Sequence, residues 1–370
     1  MNGVSAAPIS ERAYRSLRGL YPQEQPAPER WRSVLVVRPC CIGDVLQSTA
    51  LVGALRRALP DARLGYAVGP WSRPVLEGNP NLDVLVDTGA VVGGRKPTPR
   101  AFLGLVRRLR KGQWDACFVL ERSPLFGLAA WMAGIPDRIG LDSAGRGFAL
   151  TWRVPLRPRR QEAEAALDLA RAVGLDTSDA LTEFHPVERD RQEVERLALP
   201  TDRPYTCLAP GGGVNPGTEL TAKRWDAERF GALAVRLTAH GYRPLLIGGP
   251  PDHEAAEMAR AASNGTATDL CGRLSLTAVG ALLQRSRLLV SNDTGVMHLA
   301  AAVGTPVVGL FGPTDPALYA PYGVHHRIIW HPRTCSPCFR QKERPPDCLL
   351  DCMKTISVDE VEAAALDLLS

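Results

Sequence analysis

Aromatic residues are scarce, at 6% of the 370-residue chain. Sites that hold single-stranded nucleic acid rely on aromatic stacking platforms, so no nucleic-acid partner is expected. Long apolar runs are also missing. No stretch approaches the ~18 consecutive apolar residues of a membrane-spanning helix. Residues 1–30 are rich in Pro, Arg and Glu and contain no apolar h-region. That composition speaks against a secretory signal and predicts a disordered leader. The expected compartment is the cytoplasm, where structural disulfides are not expected. Charge of one sign is not in large excess either. A net +5 permits an anionic substrate or membrane surface without requiring one. Neither a Walker A loop nor G-x-G-x-x-G is present, so a P-loop nucleotidase and a nicotinamide dehydrogenase lose support.

What is present is ordinary in bulk and specific in pattern. Apolar residues make up 45% and charged residues 22%, and the length suits two α/β domains. Residues 33–38, SVLVVR, form a short β-branched run of the buried parallel type. A Gly-containing loop follows, then helical spacing from Val45 to Ala58. Further strands are predicted at 64–68, 84–86 and 116–120, with a helix over 101–110. The pattern weakens over 151–160 and 176–190. It then restarts with a strand at 205–209, and strand–helix alternation continues to a strand at 306–311. The expectation is α/β: two doubly wound, Rossmann-like domains, residues 31–188 and 189–370. In such folds ligands lie at the carboxyl ends of the strands.

Four loops fall at such ends. In RPCCIGD, Gly43 and Asp44 stand where the first strand turns into the first helix. Asp44 reads either as the cap of that helix or as a general base. In SNDTGVMHLA, an acid, a hydroxyl, a glycine and a histidine fall within six residues: Asp293, Thr294, Gly295 and His298. A helix N-terminus there suits a diphosphate. In PGGGVNPGTELTAKRW, Gly211, Gly212 and Gly213 are placed to form an anion-holding nest, and Lys223 adds a cation. GPTDP, from Gly312, reads by itself as a turn.

Four cysteines cluster as Cys335-x2-Cys338-x9-Cys348-x3-Cys352. The spacing is compatible with a structural zinc site or an iron–sulfur cluster that staples the loop 331–353; free thiols and disulfides remain open. Cys117, Cys207 and Cys271 read as plain core residues. Residues 95–111 hold seven bases and no acid, and Arg153, Arg157, Arg159 and Arg160 follow. Such a run is a solvated face, or it meets an anionic acceptor or the inner membrane surface.

The IGD opening, AKRW, DTGxxHLA and FGPTDP occur in that order. Together they resemble glycosyltransferase family 9, the ADP-heptose:lipopolysaccharide heptosyltransferases, over roughly residues 33–365. The resemblance implies a GT-B fold with two domains facing a central cleft. It implies an inverting transfer from ADP-heptose with no cofactor for catalysis. The implied acceptor is a lipopolysaccharide core sugar, another anionic glycan or glycolipid, or a small molecule. Carried over residue by residue, Asp44 would be the base, and Arg38, Gly43 and Gln47 would lie on the acceptor side. Lys223 would neutralise the diphosphate or contact the sugar, and Asp293 would hold sugar hydroxyls. Thr294, Gly295 and His298 would bind the diphosphate. Pro39, Cys40, Cys41 and Gln47 depart from the usual pattern beside the acceptor. The alternatives are a transferase or epimerase using another nucleotide sugar, and a non-catalytic nucleotide-binding protein.

Overall fold

The computed structural model describes residues 8–91, 97–215, 218–338 and 351–370. The chain divides into two compact units, meeting at Glu183/Phe184.

The first unit opens with helix α1 (Pro8–Leu17) and then winds β1 (Ser33–Val37), α2 (Ile42–Ala58), β2 (Arg63–Val68), β3 (Val84–Asp87), α3 (Pro99–Lys111), β4 (Ala116–Val119), α4 (Pro124–Met132), β5 (Asp137–Asp142), β6 (Trp152–Pro155) and α5 (Glu162–Arg171). Its strands are all parallel, in the order β3-β2-β1-β4-β5-β6. β1 is buried at every position because helices cover both faces.

The second unit begins with α6 (Glu188–Glu195) and β7 (Tyr205–Ala209). A short antiparallel pair follows, β8 (Val214–Asn215) and β9 (Thr218–Glu219). Then come α7 (Ala227–Ala239), β10 (Arg243–Leu246), α8 (His253–Ala262), β11 (Thr268–Asp269), α9 (Leu276–Gln284), β12 (Ser286–Asn292), α10 (Gly295–Ala302), β13 (Val307–Phe311), α11 (Pro316–Tyr319), β14 (His326–Trp330), α12 (Asp351–Lys354) and α13 (Val358–Leu369). Its main sheet runs β11-β10-β7-β12-β13-β14, again parallel. Counted within each unit, both sheets follow the doubly wound order 3-2-1-4-5-6. Each therefore has one switch point, between its first and fourth strands, where the crossovers reverse direction.

Two expectations are corrected. The boundary falls at 183/184, not 188/189, because α6 packs into the second unit. Thr277 Oγ1 donates to Asp190 Oδ1 at 2.8 Å, and Glu193 takes the N–H and hydroxyl of Ser275. Phe184 lies so close to Gly280 that a Cβ there would stand 2.3 Å from its ring. The leader is also folded from Pro8 onward rather than disordered. Tyr14 stacks on Phe148 at 5.8 Å, and Tyr21 meets Trp131 edge-on at 5.3 Å. These two rings supply the apolar area that a Pro/Arg/Glu-rich composition conceals.

Candidate active site

In the first unit the residues of interest gather at the switch point. Arg38 follows β1 directly and is only 8% exposed. Its Nη1 donates to the carbonyl of Leu120, just past β4, at 2.9 Å. Its Nη2 meets Asp44 Oδ2 at 2.9 Å and Glu162 Oε2 at 3.7 Å. Glu162 is buried at the first position of α5 and is also gripped by Arg122. Burial by itself lowers the Arg38 pKa, but the carboxylates of Asp44, Glu162 and Glu121 outweigh it and hold the guanidinium protonated well above its ordinary range. Asp44 sits in the first turn of α2, and the cap position is taken by Cys41, whose side chain makes no capping bond. The capping reading of Asp44 is thereby corrected. Its carboxylate is held by Arg38, and its side chain stays 29% exposed.

Gln47, one turn further along α2, is buried. Its Oε1 accepts from Gln161 Nε2 at 2.6 Å, while its own Nε2 has no hydrogen-bond partner. Gln161 in turn caps α5 by accepting from Ala163 and Glu164. Gly43 lies in the opening turn of α2. Cys40 and Cys41 hydrogen-bond to each other; this bond pulls the Cys40 thiol down and pushes the Cys41 thiol up.

The second unit repeats the arrangement with other chemistry. Asn292 ends β12 and is fully buried. Its Nδ2 donates to the carbonyls of Pro210 and Gly211, past β7, at 3.1 and 3.0 Å. Its Oδ1 accepts the Trp225 N–H at 2.9 Å, so one amide joins both sides of this switch point to the AKRW segment. Trp225 itself is core, edge-on to Phe230 at 4.9 Å. With Trp225 anchored, Lys223 reaches Asp293, and Nζ donates to Oδ2 at 2.8 Å. Thr294 is the cap residue of α10, but its side chain makes no capping bond. The first N–H groups of the helix are therefore not claimed by that hydroxyl. Gly295 opens the helix and His298 is buried one turn in.

The nest expected at Gly211–Gly213 differs from expectation. The Gly212 N–H donates to Asp252 Oδ1 at 2.7 Å, and the Gly249 N–H donates to Oδ2 at 2.9 Å. An internal carboxylate thus takes a place foreseen for a ligand anion, and its charge opposes a second anion there. The glycines serve close approach instead. Gly212 has φ +103°, and a Cβ on it would stand 2.0 Å from Thr294 Cγ2. A Cβ on Gly211 would stand 2.1 Å from Asp252 Oδ1.

The family model of glycosyltransferase family 9 (heptosyltransferase) matches residues 102–348. The chain belongs to glycosyltransferase family 9. Lipopolysaccharide heptosyltransferase 2 of Escherichia coli K12 is 29% identical over 310 residues, covering 80% of this chain and 87% of that protein. Lipopolysaccharide heptosyltransferase 1 of Pseudomonas aeruginosa is 33% identical over 335 residues, covering 83% and 86%. The solved structure of E. coli ADP-heptose lps heptosyltransferase II superposes with a TM-score of 0.72 at 25% identity, covering 91% of this chain and 98% of that one. The fold is GT-B, and the protein is an enzyme, a glycosyltransferase.

Residues of this glycosyltransferase that sequence reasoning missed are Glu121, Arg122, Glu162, Asp252 and Asn292. Glu162 and Arg122 come from segments 40 residues apart and meet only in the fold. Asp252 had one signal, the GGPPD loop after β10. Asp315 of GPTDP caps α11 by accepting from Ala317 N at 3.0 Å, so the turn has a structural duty. Cys117 and Cys207 are core thiols that burial pushes up to about 12. Of the cysteine cluster, Cys348 lies outside the described residues. Cys338 N donates to the Pro313 carbonyl at 3.0 Å. A Cβ on Gly312 would stand 3.0 Å from Cys352 Sγ. Cys335 is exposed nearby, next to Ser336, whose hydroxyl is 3.5 Å from the Gly312 carbonyl. Among the described residues, no three His, Cys, Asp or Glu side chains form a set that could hold a metal ion.

Proposed function

We propose that this glycosyltransferase moves a heptose from ADP-heptose to a hydroxyl of a lipopolysaccharide core sugar, with inversion and without a catalytic metal. Its relatives support this reading of donor and acceptor: one is a lipopolysaccharide heptosyltransferase and one an ADP-heptose lps heptosyltransferase. One observation supports the chemistry: each switch point carries the charge its half of the reaction needs. At the first, Asp44 is a carboxylate aimed by Arg38 and still open to solvent. At the second, Lys223 and the start of α10 present a cation and helix N–H groups.

In the proposed reaction the acceptor oxygen attacks the anomeric carbon on the face opposite the diphosphate. Asp44 accepts the hydroxyl proton as the new C–O bond forms. The old C–O bond breaks with its electron pair going to ADP. The transition state is oxocarbenium-like, by analogy with glycoside hydrolysis. Charge growing on the diphosphate is met by Lys223 and by the N–H groups at Gly295, with Thr294 and His298 as further donors. Asp293 orients Lys223 and accepts from sugar hydroxyls. Arg38, Gly43 and Gln47 face the acceptor. A zinc ion or iron–sulfur cluster on Cys335, Cys338, Cys348 and Cys352 would staple the loop between β14 and α12 and take no part in the transfer.

The deciding experiment is calorimetric titration with ADP, UDP and GDP, in EDTA and then in Mg²⁺, on protein whose metal content has been assayed. The proposal expects ADP to bind at least about tenfold tighter than UDP or GDP, equally in both buffers. A preference for UDP or GDP would discard heptose, and loss of ADP binding in EDTA would discard metal independence.

A further inference from the structure

Two adjacent cysteines stand at the first switch point and take no part in the scheme above. Cys40 and Cys41 lie between Arg38 and Asp44, in the loop that joins β1 to α2. Both are partly exposed, and their thiols hydrogen-bond to each other. The Cys41 S–H donates to Cys40 Sγ, which favours the thiolate at Cys40. Arg38 adds a positive charge nearby, and Cys41 is the cap residue at the positive end of α2. A cation and a helix start are the surroundings of reactive thiols. Three other thiols are built differently. Cys117 and Cys207 are fully buried within β4 and β7, and Cys271 Sγ donates to the Gly249 carbonyl at 3.2 Å. Burial pushes all three up to about 12, which leaves them inert.

The pair is also pinned on both sides. The Pro39 carbonyl accepts the Gly69 N–H at 2.9 Å. The Cys41 carbonyl accepts the Val45 N–H at 2.9 Å, in the helical turn that carries Asp44. A covalent change at either sulfur is therefore passed to the main chain that sets the position of Asp44.

We propose that Cys40 and Cys41 are a modification site, at which a low-molecular-weight disulfide of the glutathione class closes a disulfide between the two neighbours and stops transfer. The Cys40 thiolate attacks one sulfur of the reagent. The reagent's S–S bond breaks, one glutathione thiolate leaves, and a mixed disulfide remains on Cys40. Cys41 then gives up its proton and attacks Cys40 Sγ, and the second glutathione thiolate leaves. The two cysteine protons end on the two glutathione thiols, so the protein is oxidised by two electrons and the reagent is reduced by two. The second attack is intramolecular, between neighbours already in contact, and outruns release of the mixed disulfide. Adjacent residues stand closer than the ~5.5–6 Å between Cα atoms usual for a disulfide, so the bond is strained and readily reduced again. That suits a reversible site rather than a staple. Ring closure through the Cys40–Cys41 peptide turns the Cys41 carbonyl and takes Asp44 off Arg38. The effect on transfer rests on Asp44 being the base; the disulfide itself does not.

The test is incubation of the full chain with glutathione disulfide, followed by alkylation, digestion and mass spectrometry, with the transfer rate and ADP binding measured on the same sample. The peptide holding Cys40 and Cys41 should refuse the alkylating reagent and be lighter by two hydrogen atoms. Transfer should fall about 10²-fold, the scale of a ~1 Å misplacement of a reacting group. The calorimetric Kd for ADP should not move, and dithiothreitol should restore the rate. C40S/C41S, compared with its own untreated rate, should be indifferent to glutathione disulfide; this separates the pair from exposed Cys335. Alkylation of both cysteines after treatment, a lasting glutathione adduct on Cys40, full transfer by the ring-closed protein, or inhibition that persists in C40S/C41S would overturn the proposal. A reduced chain that transfers no heptose would instead count against the function proposed above, and the peptide masses would still decide the disulfide.

Discussion

Asp44 reaches Arg38 because the loop between β1 and α2 is short and places the acid in the first helical turn. The guanidinium is clamped on three sides, by Leu120, Asp44 and Glu162. A buried arginine without its acids would leave an uncompensated charge, so the cluster holds one geometry. Asp44→Asn keeps the shape but cannot take a proton. It should lower kcat by about 10²- to 10⁴-fold while leaving the calorimetric Kd for ADP within about twofold. A kcat near the parent's would remove Asp44 as the base. Glu162 touches no substrate in this scheme and acts through Arg38. Glu162→Gln should lower kcat about tenfold with donor KM unchanged, and should shift the acidic limb of the kcat pH profile. A pH profile identical to the parent's would leave Glu162 a purely structural role.

At the scale of elements, one loop bears the strain of close approach. The turn after β7 threads between Asp252 and the cap of α10, and only glycine fits. At Gly212 the backbone is in the left-handed region and the Cβ position is already occupied by Thr294. Gly212→Ala should therefore cost about 1–3 kcal/mol, read as a lowered Tm, and should weaken ADP binding by displacing Thr294. An unchanged Tm would show that the loop relaxes freely. Helix α10 is different: its cap residue Thr294 makes no side-chain bond to the first turn, at the expense of helix stability.

At the scale of the molecule, each unit has its own parallel sheet and its own core. The second is built around Trp225, Phe230, Leu246 and Val290, closed by Ile356 and Val361 near the C-terminus. The unit Phe184–Ser370, expressed alone, should fold cooperatively and bind ADP within about tenfold of the full chain, read by calorimetry and thermal melting. A fragment that fails to bind ADP while folding would mean the first unit supplies donor contacts.

Much of this was legible in the chain itself. Hydrophobic periodicity is local, so β1, β2, β3, β4, β7 and the helices at 99–111 and 276–284 could be read from short windows. Motif order was equally local: IGD, AKRW, DTGxxHLA and GPTDP each span a few residues and name the family together. Composition alone misread residues 8–30, since two tyrosines among prolines and arginines look solvated until Phe148 and Trp131 are there to receive them. The grip of Glu162 on Arg38 and of Arg122 on Glu162, the amide of Asn292 across β7 and β12, and the carboxylate of Asp252 in the glycine loop were decided only by tertiary structure. Those contacts join residues tens of positions apart, and a sequence window carries propensity and spacing but not the crossing of distant strands. What the sequence determined by itself was which residues have the right chemistry; the parallel sheets decided which of them meet at a switch point.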